Sequence, residues 1–479
     1  MSKLMKNATP ALLAVASLAS CAVGPDYKQP PSPVASRFVD VQASAYSSDP
    51  TESRFWTLFH DATLDQLVDE ALMANHDLRL ALGRLIEARA SRRQSMFDLA
   101  PRVTATGGYT KEQLNSAQEG FPGGPFVAQY YDAGFDATWE LDLFGRVRRN
   151  VEAQTAQLQG AQASLRDAQV SVIAEVARTY FDLRGQQARL EVARRNVQNQ
   201  QETLQLTVAR LDAGRVTELD TARAQAQLST TLSTIGPLEA QVASSIHRIS
   251  VLTGREPNAL DGVLTTAREL PELPKIAAVG DPAALLRRRP DIRVAERQLA
   301  ASTALIGVAV GDFFPKVTFN GDFVYAATTP GGLGGTASHS YLIGPAISWA
   351  AFDMGRVQAQ VAGARARADQ ALTSYEQTVL RALQETEDAL VTHARARDSL
   401  THAEQAARSS RTAAQLARTR YEGGLIDFLE VLDAERTQLA AEDGLAQSRT
   451  QTATSLVAVY KALGGGWETA PLPRYTHAP

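Results

Sequence analysis

Between Tyr131 and Leu143 the chain alternates without a break. Tyr131, Ala133, Phe135, Ala137, Trp139, Leu141 and Leu143 are apolar; Asp132, Gly134, Asp136, Thr138, Glu140 and Asp142 between them are polar or glycine. A period of two predicts a strand with one apolar face and one acidic face. Beyond Gly145 the period changes to that of a helix. Long helices are predicted over 146–211 and 356–421, each reaching on the order of 100 Å at about 1.5 Å per residue. In the second, Val361, Ala364, Ala368, Leu372, Tyr375, Val379, Leu383, Thr386 and Leu390 keep a 3,4 spacing, the mark of coiled-coil packing on an uncapped run of this length. Gly214 in "DAGR" and Gly424 in "EGGL" stand where a helix C-cap needs glycine. Return helices are predicted over 217–253 and 427–463.

The pattern occurs twice. Trp139 matches Trp349, "LFGRV" (143–147) matches "DMGRV" (353–357), "LDAGRVTELD" (211–220) matches "YEGGLIDFLE" (421–430), and "LTG" (252–254) matches "ALG" (462–464), all 210 residues apart. "APRVTATGG" (100–108) matches "FPKVTFNGD" (314–322) at 214, so four residues differ in the loop between. The chain therefore reads as two copies of one module. Each begins with a helix (64–96 and 291–311) that Pro101 or Pro315 stops. A strand, a Gly-rich tip and a return strand follow: 102–113, "EGFPGGP" (119–125) and 128–143 in the first copy; 316–328, "TPGGLGG" (329–335) and 340–352 in the second. The expected organisation is a leader, 1–20; an N-terminal segment, 21–63; repeat 1, 64–254, with its β-hairpin at 102–143 and helical hairpin at 146–253; a linker, 255–290; repeat 2, 291–464, with hairpins at 316–352 and 356–463; and a tail, 465–479.

The first residues change the picture by supplying an address. Lys3 and Lys6 precede the apolar run "ALLAVASLAS" (11–20), which has the form of a secretion signal. It ends at Cys21, the only cysteine, so an intrachain disulfide and a Cys-based metal site are both impossible. "LASC" resembles a bacterial lipobox. The resemblance implies cleavage before Cys21 and covalent diacylglyceryl and N-acyl groups on it; Ala22, where Asp would retain the protein, implies delivery to the outer membrane. Cleavage takes Lys3 and Lys6 but no acid, moving the net charge from −4 to −6. This lacks the basic excess of a nucleic-acid binder.

No other stretch approaches eighteen consecutive apolar residues, so a membrane crossing has to be made by strands. Four strands cannot close a barrel, and the smallest membrane barrels have about eight. The chain must then oligomerise: two copies give eight strands, three give twelve. Asp132, Asp136, Glu140 and Asp142 are expected to face the wet interior, with Trp139 and Trp349 near the interface.

Several segments together resemble the outer-membrane factor (TolC-like) family, in its NodT-type, OprM-like lipoprotein branch serving RND efflux systems. They are "CAVGPDYKQPPSP" (21–33), "FWTLFHDATLDQLVDEALMANHDLRLALGRLIEARA" (55–90), "LLRRRPDIRVAERQL" (285–299) and "GLIDFLEVLDAERTQL" (424–439). The resemblance implies a mixed α and β membrane protein: a trimeric tube with a 12-stranded β-barrel continuous with a periplasmic α-helical barrel. Segments 21–63 and 255–290 would supply equatorial contacts. The implied partners are outer-membrane lipid, a periplasmic adaptor and an inner-membrane RND transporter. The implied function is a passive exit duct for drugs or other small molecules. Leu429, Glu430, Asp433 and Arg436 match gate positions, the two acids being three apart on one helix face. A threefold ring of each would attract cations and could bind divalent ions. Asp220 and Tyr421 match a hydrogen-bonded pair that holds the tip closed. Ile426 departs from the best-known TolC pattern, which has Arg there, so one closing link is expected to be absent. The tips, with Gly214, Arg215, Gly423 and Gly424, are the implied adaptor contacts.

Enzyme signatures are missing. The seven His are scattered, and "GGLGG" (331–335) lacks the Lys and following helix of a phosphate loop. No catalytic residue, metal site or free cofactor is expected. Two other readings stay open: a duct of this family for another exporter, such as type I secretion, and a non-conducting lipid-anchored scaffold. The second has no use for two-faced strands.

Overall fold

The computed structural model describes residues 22–31, 46–47, 52–114, 126–274, 277–278 and 288–471. The leader, Cys21, the first Gly-rich tip (119–125), most of 32–51, most of 275–287 and the tail beyond 471 lie outside the described residues. The chain divides into two compact units: Met1–Pro31, Leu85–Gln162 and Val294–Glu376 form the first, and Ser32–Arg84, Ala163–Arg293 and Gln377–Pro479 the second.

The strands are β1 (Tyr46–Ser47), β2 (Arg102–Leu114), β3 (Phe126–Leu141), β4 (Ala277–Ala278), β5 (Lys316–Ala327) and β6 (His339–Ser348). The helices are α1 (Ala62–Ala74), α2 (His76–Phe97), α3 (Arg146–Asp212), α4 (Glu218–Leu252), α5 (Asp261–Leu264), α6 (Pro290–Gly311), α7 (Met354–Glu422) and α8 (Phe428–Ala462).

The first unit contains a four-stranded antiparallel sheet in the order β2-β3-β5-β6. Residues directly opposite one another share a face. Phe135 pairs with Phe323 and Phe323 with Tyr341; Trp139 pairs with Phe319 and Phe319 with Pro345; Val103 pairs with Ala137. The apolar side therefore runs unbroken across all four strands. It is largely uncovered in the single chain: Phe135, Tyr341, Ile343 and Ile347 are all exposed. The opposite side holds Thr104, Asp136 and Asp322 in one row, with the two carboxylates directly opposite each other. Like charges so placed disfavour a dry sheet and fit a wetted surface. β2 and β6 each pair on one side only among the described residues.

Two acids expected on that wetted face do other work. β3 ends at Leu141, and Asp142 accepts from the N–H groups of Val147 (3.0 Å) and Arg148 (2.9 Å), capping the start of α3. Glu140 forms a two-bonded pair with Arg146. The junction of strand and helix is thus an ion-paired cap, which fixes the direction in which the long helix leaves the sheet.

The repeat is visible in bonds as well as elements. The Trp139 indole N–H donates to Leu99 O (3.0 Å), and that of Trp349 to Phe313 O (2.9 Å). The two donors are 210 residues apart and the two acceptors 214, the two offsets read from the sequence.

The second unit has the main apolar core. A 3-10 turn, Phe55–Phe59, inserts Phe55, Trp56 and Phe59 among Ile173, Tyr180, Phe181, Leu456 and Tyr460. Phe55 stacks on Tyr460 at 4.8 Å. The helix expected over 64–96 is broken at Asn75. The Asn75 Oδ1 accepts from Asp77 N (2.8 Å) and Leu78 N (3.2 Å), and its Nδ2 donates to Leu252 O (2.9 Å). An Asx cap that is also tied to the end of α4 outweighs one more turn of helix. The nine stripe positions from Val361 to Leu390 are all buried or half-buried. Among the described residues no helix is long and apolar enough to cross a membrane.

Candidate functional site

The helix tips of the second unit hold every candidate gate residue. α3 and α7 end alike. Gly214 (φ +69°) and Gly424 (φ +71°) take the left-handed conformation; Arg215 N bonds Arg210 O and Leu425 N bonds Arg420 O, at 2.8 and 2.9 Å. These are Schellman closures, and only glycine takes that φ without strain. Gly214, Arg215, Gly423 and Gly424 are exposed, as a contact surface requires.

α8 sorts its residues by face. Phe428, Val431, Leu432 and Glu435 are buried. Leu429, Glu430, Asp433 and Arg436 are exposed and lie within about 120° of arc at 100° per residue. Glu430 and Asp433 line a cleft of about 450 Å³ with Arg420, Leu416, Ile426 and Thr437. Ile426 packs against the cluster of Tyr421, Phe428, Val431 and Leu432. The position that is Arg in the TolC pattern is here a packing residue and offers no donor.

The expected pairing of Asp220 with Tyr421 is not made within the chain. The Asp220 carboxylate accepts from the N–H (3.0 Å) and Oγ1 (2.8 Å) of Thr217, at the start of its own helix. A contact three residues away costs less ordering than one between hairpins. The Tyr421 hydroxyl is buried without a partner. Its ring instead packs on Phe428 and lies 4.1 Å beneath the Arg210 guanidinium.

Other side chains join the two helical hairpins. Arg210 donates to Tyr421 O (2.7 Å) and Glu422 O (3.0 Å), neutralising the carbonyl end of α7. Arg418 pairs with Glu202 at 2.8 Å. Thr203 Oγ1 donates to Glu435 at 2.7 Å. Burial pushes the Glu435 carboxyl above the usual range, against the opposing influence of Thr203 and Arg418. The signal for Glu435 was in the sequence: it falls on the apolar stripe 428, 431, 432, 435. Arg210 carried no comparable signal, because its role depends on α7 ending beside it.

The RPDIR segment also acquires a reason. Arg289 is buried and donates to Ala462 O (3.0 Å), at the C-terminus of α8, and to Asp291 and Glu385 (2.6 and 2.7 Å). Among the described residues no group of three or more His, Cys, Asp or Glu is placed to hold a metal ion.

The sequence matches the family model "Outer membrane efflux protein" over residues 67–255 and 282–465. The chain belongs to the outer membrane efflux protein family. It is 32% identical over 467 residues to outer membrane protein OprJ of Pseudomonas aeruginosa, covering 96% of this chain and 95% of OprJ. Among solved structures, the outer-membrane channel OprN is similar with a TM-score of 0.87 and 44% identity, over 93% of this chain and all of that one. The open-state MtrE outer membrane channel of Neisseria gonorrhoeae is similar with a TM-score of 0.80 and 28% identity, over 96% and 100%. The fold is that of TolC-like outer-membrane channels. As a member of this family the chain is an outer-membrane component of an efflux system, and its place is the outer membrane.

Proposed function

We propose that three copies of the chain close into a twelve-stranded barrel and form a passive exit duct of a tripartite, RND-type efflux pump. The observation that carries this reading is the sheet: four strands, one continuous apolar face, one polar face holding Asp136 opposite Asp322, and two open edges. An open edge is not tolerated in lipid, so the edges β2 and β6 meet those of neighbouring copies. Cys21 is acylated and anchors the mature chain. The exposed tips at Gly214–Arg215 and Gly423–Gly424 meet a periplasmic adaptor, and the inner-membrane transporter supplies the energy. Leu429, Glu430, Asp433 and Arg436 line the gate, where threefold symmetry turns each acid into a ring of like charge that favours cations and can hold a divalent ion.

Single-channel current of the purified protein in a planar bilayer tests this. The wild type is expected to give small, cation-selective openings. Glu430→Ala with Asp433→Ala is expected to enlarge them and weaken the cation preference. Unchanged conductance and selectivity in the double variant would remove the gate from α8; absence of current from both, with a folded trimer verified, would leave a gate held shut by other contacts or a non-conducting scaffold.

A further inference from the structure

We propose that Arg149 is the positioning residue for the N-terminus: it clamps residues 22–26 onto the strand–helix junction, so the lipid anchor enters the membrane at a fixed point at the foot of the barrel. The inference rests on the reading that Cys21 is acylated, and it assigns this chain's own residues to the placement of that anchor.

All the groups lie in the first unit. The Arg149 side chain is only 6% exposed, although it sits in the first turn of α3. Its Nε donates to Val23 O at 3.0 Å, and its Nη2 to Ala22 O, Gly24 O and Asp26 Oδ1 at 3.4, 3.3 and 2.7 Å. The Nη1 is held by Glu152 at 2.8 Å. One guanidinium thus gathers three successive carbonyls and a carboxylate, a use suited to its rigid fan of donors. The segment is also hydrogen-bonded directly, Val23 N to Phe144 O at 3.0 Å.

The surface beneath is cut to fit. At Gly145 (φ +81°) a Cβ would come within 2.5 Å of Ala22 Cα. Gly24 (φ +93°) lies so close to Gly307 that a Cβ would stand 2.4 Å from Gly307 Cα. A Cβ on Gly307 would in turn meet Arg149 Cγ at 2.7 Å and Val23 O at 2.9 Å. Further along, Tyr27 Oη donates to Glu296 at 3.0 Å, and Arg297 lies over the Tyr27 ring. A tether needs none of this. Gly145 lies between the end of β3 and the start of α3, so Ala22 is held where the chain passes from sheet to helix.

The test uses full-length protein extracted from outer membranes, as wild type, Arg149→Ala, Arg149→Lys and Asp26→Ala. Trypsin cleavage after Lys28 is followed by mass spectrometry, which also reads the mass of the N-terminal peptide. Slow cleavage is expected in the wild type. Arg149→Ala should raise the rate roughly tenfold or more, since charge-assisted bonds are lost, while cleavage within the helices stays unchanged. Arg149→Lys should recover part of the protection. Asp26→Ala should raise the rate by a smaller factor; its side chain is 82% exposed, so it tests the clamp without disturbing a core. Equal rates at Lys28 in all four proteins would overturn the clamp. An N-terminal peptide without acyl mass would overturn the placement of the anchor and its underlying reading together, and the cleavage rates would then still decide the clamp by itself.

Discussion

At the scale of single residues, Glu435 shows how one position escapes a reading by chemical type. "DAERTQ" presents three charged residues close together, and chemistry alone does not rank them. Their spacing does: 433 and 436 fall on the exposed arc, and 435 falls on the stripe with Phe428, Val431 and Leu432. Burial raises the Glu435 pKa, so the folded chain holds this proton at a pH where the unfolded chain has released it. Stability then falls as pH rises from the ordinary carboxylate range through the folded pKa. Glu435→Gln keeps an acceptor for Thr203 and removes the charge. In thermal unfolding it is expected to gain on the wild type as pH rises from the carboxylate range to neutrality; a difference independent of pH would refute this account. Asp220 shows the converse: within the chain its carboxylate is taken by Thr217 rather than by Tyr421. Both residue types match the pattern, but type alone does not show that Thr217, three residues before Asp220, holds its carboxylate at the start of α4.

At the scale of elements, periodicity located the long helices to within a residue or two, because their stripes run for many turns and errors average out. It missed the break at Asn75, where one side chain decides. Asn75→Ala deletes the cap of α2 and the bond to Leu252 O. It is expected to cost about 1–2 kcal/mol in chemical denaturation, and Asn75→Asp, which retains the cap, should cost less. Arg289 shows the same limit from the other side. RPDIR stood out as a motif, but its purpose depends on where α8 ends. The guanidinium closes the carbonyl end of α8 while balanced by Asp291 and Glu385. Arg289→Ala leaves both an open helix end and two unpaired acids. A loss of about 1–3 kcal/mol is expected by the same measurement, whereas a loss well under about 1 kcal/mol would show that the site is solvated.

At the scale of the whole molecule, the sheet was the most legible part. Its alternation survives in a register that places Phe135, Phe323 and Tyr341 in one row and Asp136 and Asp322 in another. What alternation could not foretell was that Glu140 and Asp142 serve the junction with α3. The two faces should respond differently to charge. Ile343→Arg, on the apolar face, is expected to destabilise the barrel by about 2–4 kcal/mol, seen as loss of heat-resistant oligomer on gels. Asp322→Asn should leave the oligomer intact and lower cation preference in bilayer recordings. Equal loss of oligomer in both variants would mean that the faces are wrongly assigned. The central pairing of the sheet, β3 with β5, joins segments separated by the whole of the first helical hairpin, the linker and α6. Closing so long a loop is slow compared with forming hairpins or helices, and the entropy of closure is lost before the new contacts repay it. The α-helical pairs can therefore fold while β2–β3 and β5–β6 are still separate, leaving apolar hairpins open to the wrong partners. The order of synthesis thus makes the time before β3 meets β5 the aggregation-prone stage of this protein's life, one that an escort in the periplasm would have to cover.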